Sequence, residues 1–548
     1  MAIFQSKVPS KSSIPVLMGS KRKNVQRNNF MAVILFSDII KTSLGPKGMY
    51  KMLVDKNGSI KVTSNGKTIL KELEIEHPVI KIMVEMSKAI DNEVGDGTIS
   101  SVILAGALLE KALELIDKGV HPTIIAEGYA KALEKSLEIL SSIAIKIDPK
   151  DRDMLENLAR TSMETKITFS DANVLAPLIV ESLLLVAEEI EGKIDVDIKN
   201  IKVEKSAGCS IGDTKLVRGL IIPRTYTKEI MQPEMPKRVS QAKIAVINCP
   251  LKMRKPEYDT RISIDSPEQI QMLLDERNKV VKAIVDKIIA VGANVIVTNR
   301  DIDDLALYNL AKAKIMAIRR DLDADLSRLA RATGARIIAN IDELQSKDLG
   351  YADIVEEIKV GNEKWVVFEG CKNQKALSIF VRGGTDKVVE EVERAVYDAL
   401  YTVKDAMIKP FILVGAGSIE EEIALRLKDW AKTLSGRKQL AVQKFAEGLE
   451  TIPMTLAKNA GMDPINTITE LRARHKGGEK TAGINAVSGK VEDVQKLDVY
   501  EPLIVKEQIL KAATEVVSMI LRIDGIIAAS REQKLKSKDK EEIPTAMD

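Results

Sequence analysis

The sequence predicts an α+β multidomain protein, with helical regions at both ends, a short mixed segment, and an α/β module in the middle. Three observations lead there. At 548 residues the chain is long enough for about three or four domains of ordinary size. Hydrophobic residues make up 45% of it, enough for several packed cores rather than a disordered chain. The spacing of its apolar residues also changes along the chain, from helical to strand-like and back to helical.

The elements follow in order. After an irregular N-terminal tail, residues 28–42 place Phe30, Val33, Ile34, Phe36, Ile39 and Ile40 on one helical stripe. The run Leu44-Gly45-Pro46-Lys47-Gly48 ends that helix, because glycine and proline continue a helix only at a cost. Residues 51–54 and 59–63 read as short strands about Asn57-Gly58, a favoured hairpin turn, and Ser64-Asn65-Gly66 turns into the next helix. Residues 98–115 are apolar on most faces, the mark of a buried helix, and helical spacing continues to about 140. Residues 195–219 alternate in short, β-like runs. Apolar strand candidates follow at 243–248, 294–298, 315–318, 336–339 and 365–369, separated by amphipathic helices such as 268–289, which makes an α/β module. From Asp386 helices dominate again, and the charged, proline-containing 531–548 is expected to be disordered.

Composition narrows the function. Lysine and arginine total 82 against 79 acidic residues, a net charge of +3, with no long basic run, so no nucleic-acid partner is expected. Cys209, Cys249 and Cys371 form no CxxC pair, which argues against a disulfide framework or zinc knuckle and fits a reducing cytoplasm. His77, His121 and His475 are scattered, and the first two directly precede proline, so no histidine metal site or triad is expected. No N-terminal apolar signal is present and no stretch approaches a membrane span, so a soluble cytoplasmic protein is expected. Charged residues reach 29% and aromatics 3%, a surface suited to the ion-pair networks favoured at high temperature.

Two glycine-rich turns carry the chemistry. In Val94-Gly95-Asp96-Gly97-Thr98-Ile99-Ser100 a carboxylate lies between two glycines just before the buried helix. Glycines let backbone approach a phosphate, a helix N-terminus offers free N–H donors, and an aspartate can hold Mg²⁺ beside nucleotide phosphates. On spacing alone an N-cap with turn glycines stays open as the plainer reading. Leu44-Gly45-Pro46-Lys47-Gly48 is a second such turn, again explicable as a helix stop. No GxxxxGK[ST] occurs, so this is not a P-loop protein. Asp398 stands on a helix, where an aspartate is usually solvated surface.

These motifs, in this order, resemble the group II chaperonins, the archaeal thermosome subunits most closely. The likeness runs from about Gly19 to Ala529 and includes Met235-Pro236-Lys237-Arg238-Val239, Thr333-Gly334-Ala335, Val381-Arg382-Gly383-Gly384-Thr385, Gly461-Met462-Asp463-Pro464-Ile465 and Glu501-Pro502-Leu503-Ile504-Val505-Lys506. The resemblance implies a chaperonin fold. A helical, ATP-binding equatorial domain comes from 1–150 and 405–548, an intermediate hinge domain from 151–219 and 370–404, and an α/β apical domain from 220–369. The apical domain would bind unfolded polypeptides and carry a helical protrusion near 249–276 as a built-in lid.

The same resemblance assigns residues. Asp96 would ligate Mg²⁺; Gly45, Pro46, Gly97, Thr98 and Ser100 would line the ATP phosphates; Asp398 would orient or activate the attacking water; and Lys166 would sense the γ-phosphate. Gly415 and Gly417 would pass close to the nucleotide, with Asn485 and Glu501 near adenine and ribose. Positioning and charge neutralisation are what phosphoryl transfer requires.

Departures from the family pattern matter too. The family's Thr-Asn-Asp-Gly-Ala-Thr is here Thr63-Ser64-Asn65-Gly66-Lys67-Thr68, so an asparagine, Asn65, replaces an aspartate that helps place the water. Ile99 and Ala416 replace a hydroxyl residue and a glycine. ATP binding is expected to be intact and hydrolysis slower, by on the order of 100-fold for one lost positioning group. Ile264, Ile270, Met272 and Leu273 are candidates for capture of unfolded chains, or for helix packing. The main reading is an ATP-driven chaperone subunit of a double ring, alone or with paralogues. The alternative is a weakly hydrolysing ring subunit with a structural or regulatory role.

Overall fold

The computed structural model describes residues 20–526 apart from 55–57, 59, 73–76, 224–234, 253–266, 321, 362 and 374–375. The expected tails, Asn57 of the hairpin turn and most of the expected lid, Ile264 included, lie outside the described residues, as do the side chains of Ile270 and Leu273.

The chain builds three regions of core. In the first, the helix Ser20–Lys41 buries Phe30, Val33, Phe36 and Ile40 of the predicted stripe, while Ile34 is half-buried at its edge and Ile39, contrary to expectation, is exposed. It lies against the helix Thr98–Asp117, where Gly106 faces Ser37 so closely that a Cβ would not fit between them. Thr98–Asp117 buries Val102 to Leu109 without a break, since further helices cover its remaining faces. Those helices come from the other end of the chain: Arg437–Leu449 supplies Val442 and Phe445, and Leu503–Leu521 supplies Ile509, Ala513 and Val517.

The second core packs the helices Arg152–Glu164, Phe169–Val186 and Asp386–Ile408 onto a three-stranded sheet. Its central strand, Leu377–Gly383, is buried at every position, parallel to Ile201–Ala207 and antiparallel to Lys215–Val217. Contrary to the expectation that no stretch resembles a membrane span, Phe169–Val186 is apolar and long enough to be one by composition. It buries Leu175, Ile179 and Leu183 in this core, the behaviour of a core helix. Asp386–Ile408 runs unbroken through residue 404, and its Ala406 and Met407 belong to the same core.

The third region is a seven-stranded sheet ordered Met316–Arg319, Val295–Thr298, Arg238–Ile247, Gly350–Val360, Glu363–Cys371, Gly219–Pro223, with Ile337–Ile338 also on Arg238–Ile247. One half is parallel (Ile296 opposite Ala245 and Ala317) and the other antiparallel (Val355 opposite Val239 and Phe368). Ile244 and Val246 face one core while Ala245 and Ile247 face another, so the second half of this strand is apolar on both faces and reads as an unbroken hydrophobic run, whereas its first half is polar and was not predicted. The strand Gly350–Val360 escaped sequence reading because Asp353, Glu356 and Glu357 interrupt its apolar pattern.

Candidate nucleotide site

A cavity of about 240 Å³ opens where the first core meets the second. The turn after the first helix forms one wall. Gly45 sits at φ +82, where a side chain would be strained, and its missing Cβ leaves room for Leu456. The Asn459 amide pins the turn from the C-terminal half by donating to the carbonyls of Lys41 and Leu44, at 2.9 and 2.8 Å.

Facing it, Gly95 ends the helix Pro78–Val94 at φ +70 and Gly97 begins Thr98–Asp117 at φ +83. Asp96 is held between them. Its Oδ1 accepts the Gly97 N–H at 2.7 Å and its Oδ2 accepts the Ser162 hydroxyl at 3.2 Å. Thr98 and Ser100 stand in the first turn of the helix, where backbone N–H groups lack helical partners.

The polar centre joins three distant stretches. Lys166 Nζ lies 3.0 Å from Asp398 Oδ2 and 3.8 Å from Asp96 Oδ1, so one ammonium stands between both carboxylates. The Asn65 amide donates to Asp398 Oδ2 at 3.1 Å, while its Oδ1 accepts the Thr68 N–H at 3.1 Å and caps the helix Gly66–Glu72. Burial pushes the Asp398 carboxyl up to about 7, against the pull of Lys166, and Asp96 adds to the upward push. Burial works against the charged form of Lys166, yet the two aspartates hold it well above the usual lysine range.

At the far end, Lys506 bridges Glu420 at 2.6 Å and Glu501 at 2.8 Å. Burial raises the pKa of Glu501 against the pull of Lys506, and the Glu420 carboxylate raises it further. Asn485 lines the cavity, but its side chain is committed to its own hairpin. The amide donates to Glu492 at 2.7 Å and the carbonyl accepts from the Val487 and Ser488 N–H groups. Ala416, at φ +56, and Gly417, at φ +78, form the turn before the helix Ser418–Ala431.

Of the residues singled out in the sequence, Gly45, Pro46, Asn65, Asp96, Gly97, Thr98, Ser100, Lys166, Asp398, Gly417, Asn485 and Glu501 all line this one cavity. Gly415 stands behind the wall, its N–H bonded to Val499 and its missing Cβ leaving room for Glu501. Sequence reasoning missed Ser162, Tyr50, Glu391 and Lys506. Ser162 precedes Lys166 by four positions, a spacing that could have flagged it, whereas Lys506 stands five positions after Glu501, which lies on the strand before the helix, and gave no such signal. The Tyr50 hydroxyl, which donates to the Lys166 carbonyl at 2.6 Å, gave no such signal.

The donor set suits a metal carried in with phosphates. Among the described residues no three His, Cys, Asp or Glu side chains are grouped to cage a metal, whereas Asp96 offers one carboxylate beside a glycine cradle. Mg²⁺ commonly binds through one or two carboxylates plus substrate phosphates.

Fold and site together define a multidomain protein with a glycine-walled polar cavity between two of its cores. The sequence matches the TCP-1/cpn60 chaperonin family over residues 36–531. It is 46% identical to the thermosome subunit alpha of Archaeoglobus fulgidus over 533 residues, covering 96% of this chain and 97% of that one. It is 48% identical to the thermosome subunit of Methanopyrus kandleri over 507 residues, covering 92% of each, and 47% identical to that of Pyrococcus horikoshii over 518 residues, covering 94% of each. The chain belongs to the TCP-1/cpn60 chaperonin family. Its function is that of an ATP-dependent chaperonin subunit in a ring complex. Nothing in these likenesses favours the alternative of a weakly hydrolysing, structural subunit.

Proposed function

We propose that this cavity binds ATP with Mg²⁺ and hydrolyses it, and that the cycle drives capture and folding of unfolded polypeptides by lid closure near residues 249–276. The observation that carries the reading is Lys166, held between Asp96 and Asp398, with Asn65 on the same Asp398 oxygen.

Bound Mg²⁺ would supply charge neutralisation at the phosphates, and Asp96 is the residue to hold it. The chain's own groups do the rest. The turn at Gly45 and Pro46 and the helix start at Gly97, Thr98 and Ser100 cradle the phosphates with backbone N–H groups. Lys166 answers the γ-phosphate charge. Asp398, when ionised, accepts a hydrogen bond from the attacking water and orients it, and Asn65 fixes Asp398 from the side. Glu501, set by Lys506, takes the ribose end, and Gly417 allows the nucleotide close approach to the backbone.

The three regions of core serve as three working parts in this reading: an equatorial part from 1–150 and 405–548, a hinge from 151–219 and 370–404, and an apical part from 220–369. The hinge carries Lys166 and Asp398 onto a site otherwise built by the equatorial part, so closure and hydrolysis go together. The assembly proposed is a double ring, of this chain alone or with paralogous subunits. The relatives include subunits named alpha and beta in Archaeoglobus fulgidus, which favours paralogues. Three free cysteines, two of them buried, suit a cytoplasmic setting.

The test is steady-state ATP turnover by purified rings, native and Asp398→Asn, with nucleotide affinity measured alongside. Native rings should turn over ATP, and Asp398→Asn should bind nucleotide with little change yet lose turnover by about 100-fold or more. Undiminished turnover in Asp398→Asn removes the assignment.

A further inference from the structure

We propose that Glu391 is a positioning residue for ATP hydrolysis: it suspends the 63–65 loop so that Asn65 meets Asp398. This rests on the reading of the cavity as the hydrolytic site.

Glu391 lies on the helix Asp386–Ile408 and is 7% exposed. Its Oε1 accepts the Ser64 hydroxyl at 3.2 Å and the Ser64 N–H at 3.4 Å, and its Oε2 accepts the Thr63 hydroxyl at 3.1 Å. Arg394, one turn on, donates to the same Oε2 at 2.6 Å and helps fix the carboxylate. A threonine hydroxyl has a single proton to give. Thr63 gives it to Glu391, which leaves a lone pair to accept the Asn65 N–H at 3.0 Å. Asn65 then donates to Asp398.

Glu391 and Asp398 are seven positions apart on one helix, about two turns, and so share a face. The circuit Glu391–Thr63–Asn65–Asp398 therefore begins and ends on the same rigid rod, and the loop hangs from it at two points. The Asn65 Oδ1 is already held by its cap on the Thr68 N–H, and Glu391 fixes the other side of the loop. With these bonds made, the Asn65 amide is aimed at the Asp398 oxygen that Lys166 also contacts before substrate arrives. Among the described residues the hydrogen bonds of Glu391 reach one residue that lines the cavity, Ser64, and its charge also bears on Lys166 at longer range, so its contact with the site runs through the loop.

The experiment is a double-mutant cycle on full-length rings: Glu391→Ala, Asn65→Ala and the pair, with kcat and KM for ATP measured for each. Glu391→Ala should lower kcat by about 10- to 100-fold with KM little changed. In the Asn65→Ala background the same change should cost nothing further. Glu391→Gln keeps an acceptor for Ser64 and Thr63 and should recover part of the loss. If Glu391→Ala rings fail to assemble, the cycle is run with Glu391→Gln, whose smaller loss must likewise vanish in the Asn65→Ala background. A native kcat in Glu391→Ala, or losses that multiply in the pair, overturns the proposal. Undiminished turnover in Asp398→Asn instead overturns the reading of the site. Lost turnover there, with multiplying losses in the cycle, overturns the role of Glu391 alone.

Discussion

The side-chain amide of Asn65 donates to Asp398 Oδ2 across 333 positions of sequence, at 3.1 Å, on the oxygen that Lys166 also contacts. An uncharged donor thus stands where the family pattern has a carboxylate, and it stabilises the ionised form of Asp398 without adding negative charge.

Replacing it tests that arrangement. Asn65→Asp puts a second carboxylate against Asp398, and like charges at this range raise the pKa of one of the pair. Turnover should rise at pH 8 and above, where both are ionised and a second acceptor can hold the water. The acid limb of the rate profile should move to higher pH. Equal rates and an unmoved limb would show that the two side chains are not in communication.

The native pH profile follows from Asp398 itself. Burial, partly offset by Lys166, brings its carboxyl up to about 7. The ionised form is the one that accepts from water, so kcat/KM for ATP should fall as pH drops through about 7 and level off above it. Lys166→Met removes the attraction that favours ionisation, so the limb should shift upward; a shift downward would contradict the geometry.

Lys506 is the sole cation bonded to both Glu420 and Glu501 among the described residues. Lys506→Met leaves the buried Glu420 and the half-buried Glu501 without it, and breaking a buried pair costs about 3–5 kcal/mol. Thermal unfolding should drop accordingly and ATP affinity should weaken. Glu420→Gln in the same chain should return part of the stability, because it removes one of the stranded charges.

Gly97→Ala carries a steric prediction. At φ +83 an alanine is strained by about 1–2 kcal/mol, and its Cβ would lie 2.6 Å from Ile509 Cδ1. The start of the phosphate-facing helix should shift, with weaker ATP binding. Ile509→Ala in the Gly97→Ala chain should restore part of the affinity by making room.

Much of the site was legible because its parts are local. The glycine turns around Gly45 and Asp96 declare themselves by composition, and the helices that carry them by spacing. What spacing could not give was the meeting of Asn65, Lys166 and Asp398, which depends on two cores packing together. Glu391 and Lys506 were hidden for a related reason: a charged residue on a helix looks like solvated surface until the partner that buries it is known. The strand Gly350–Val360 was obscured by its own acids, whereas the end of Arg238–Ile247 stood out because residues 244–247 are covered on both faces.

The first core joins residues 30–140 to residues 413–521. During synthesis the N-terminal helices leave the ribosome with their apolar faces uncovered, while some 270 residues are added before their partners exist. At the usual pace of translation that wait is on the order of tens of seconds. The central sheet, whose strands all fall between Gly219 and Cys371, can close long before. The nascent subunit therefore spends its synthesis half-folded and sticky, the class of polypeptide that the proposed cycle would capture.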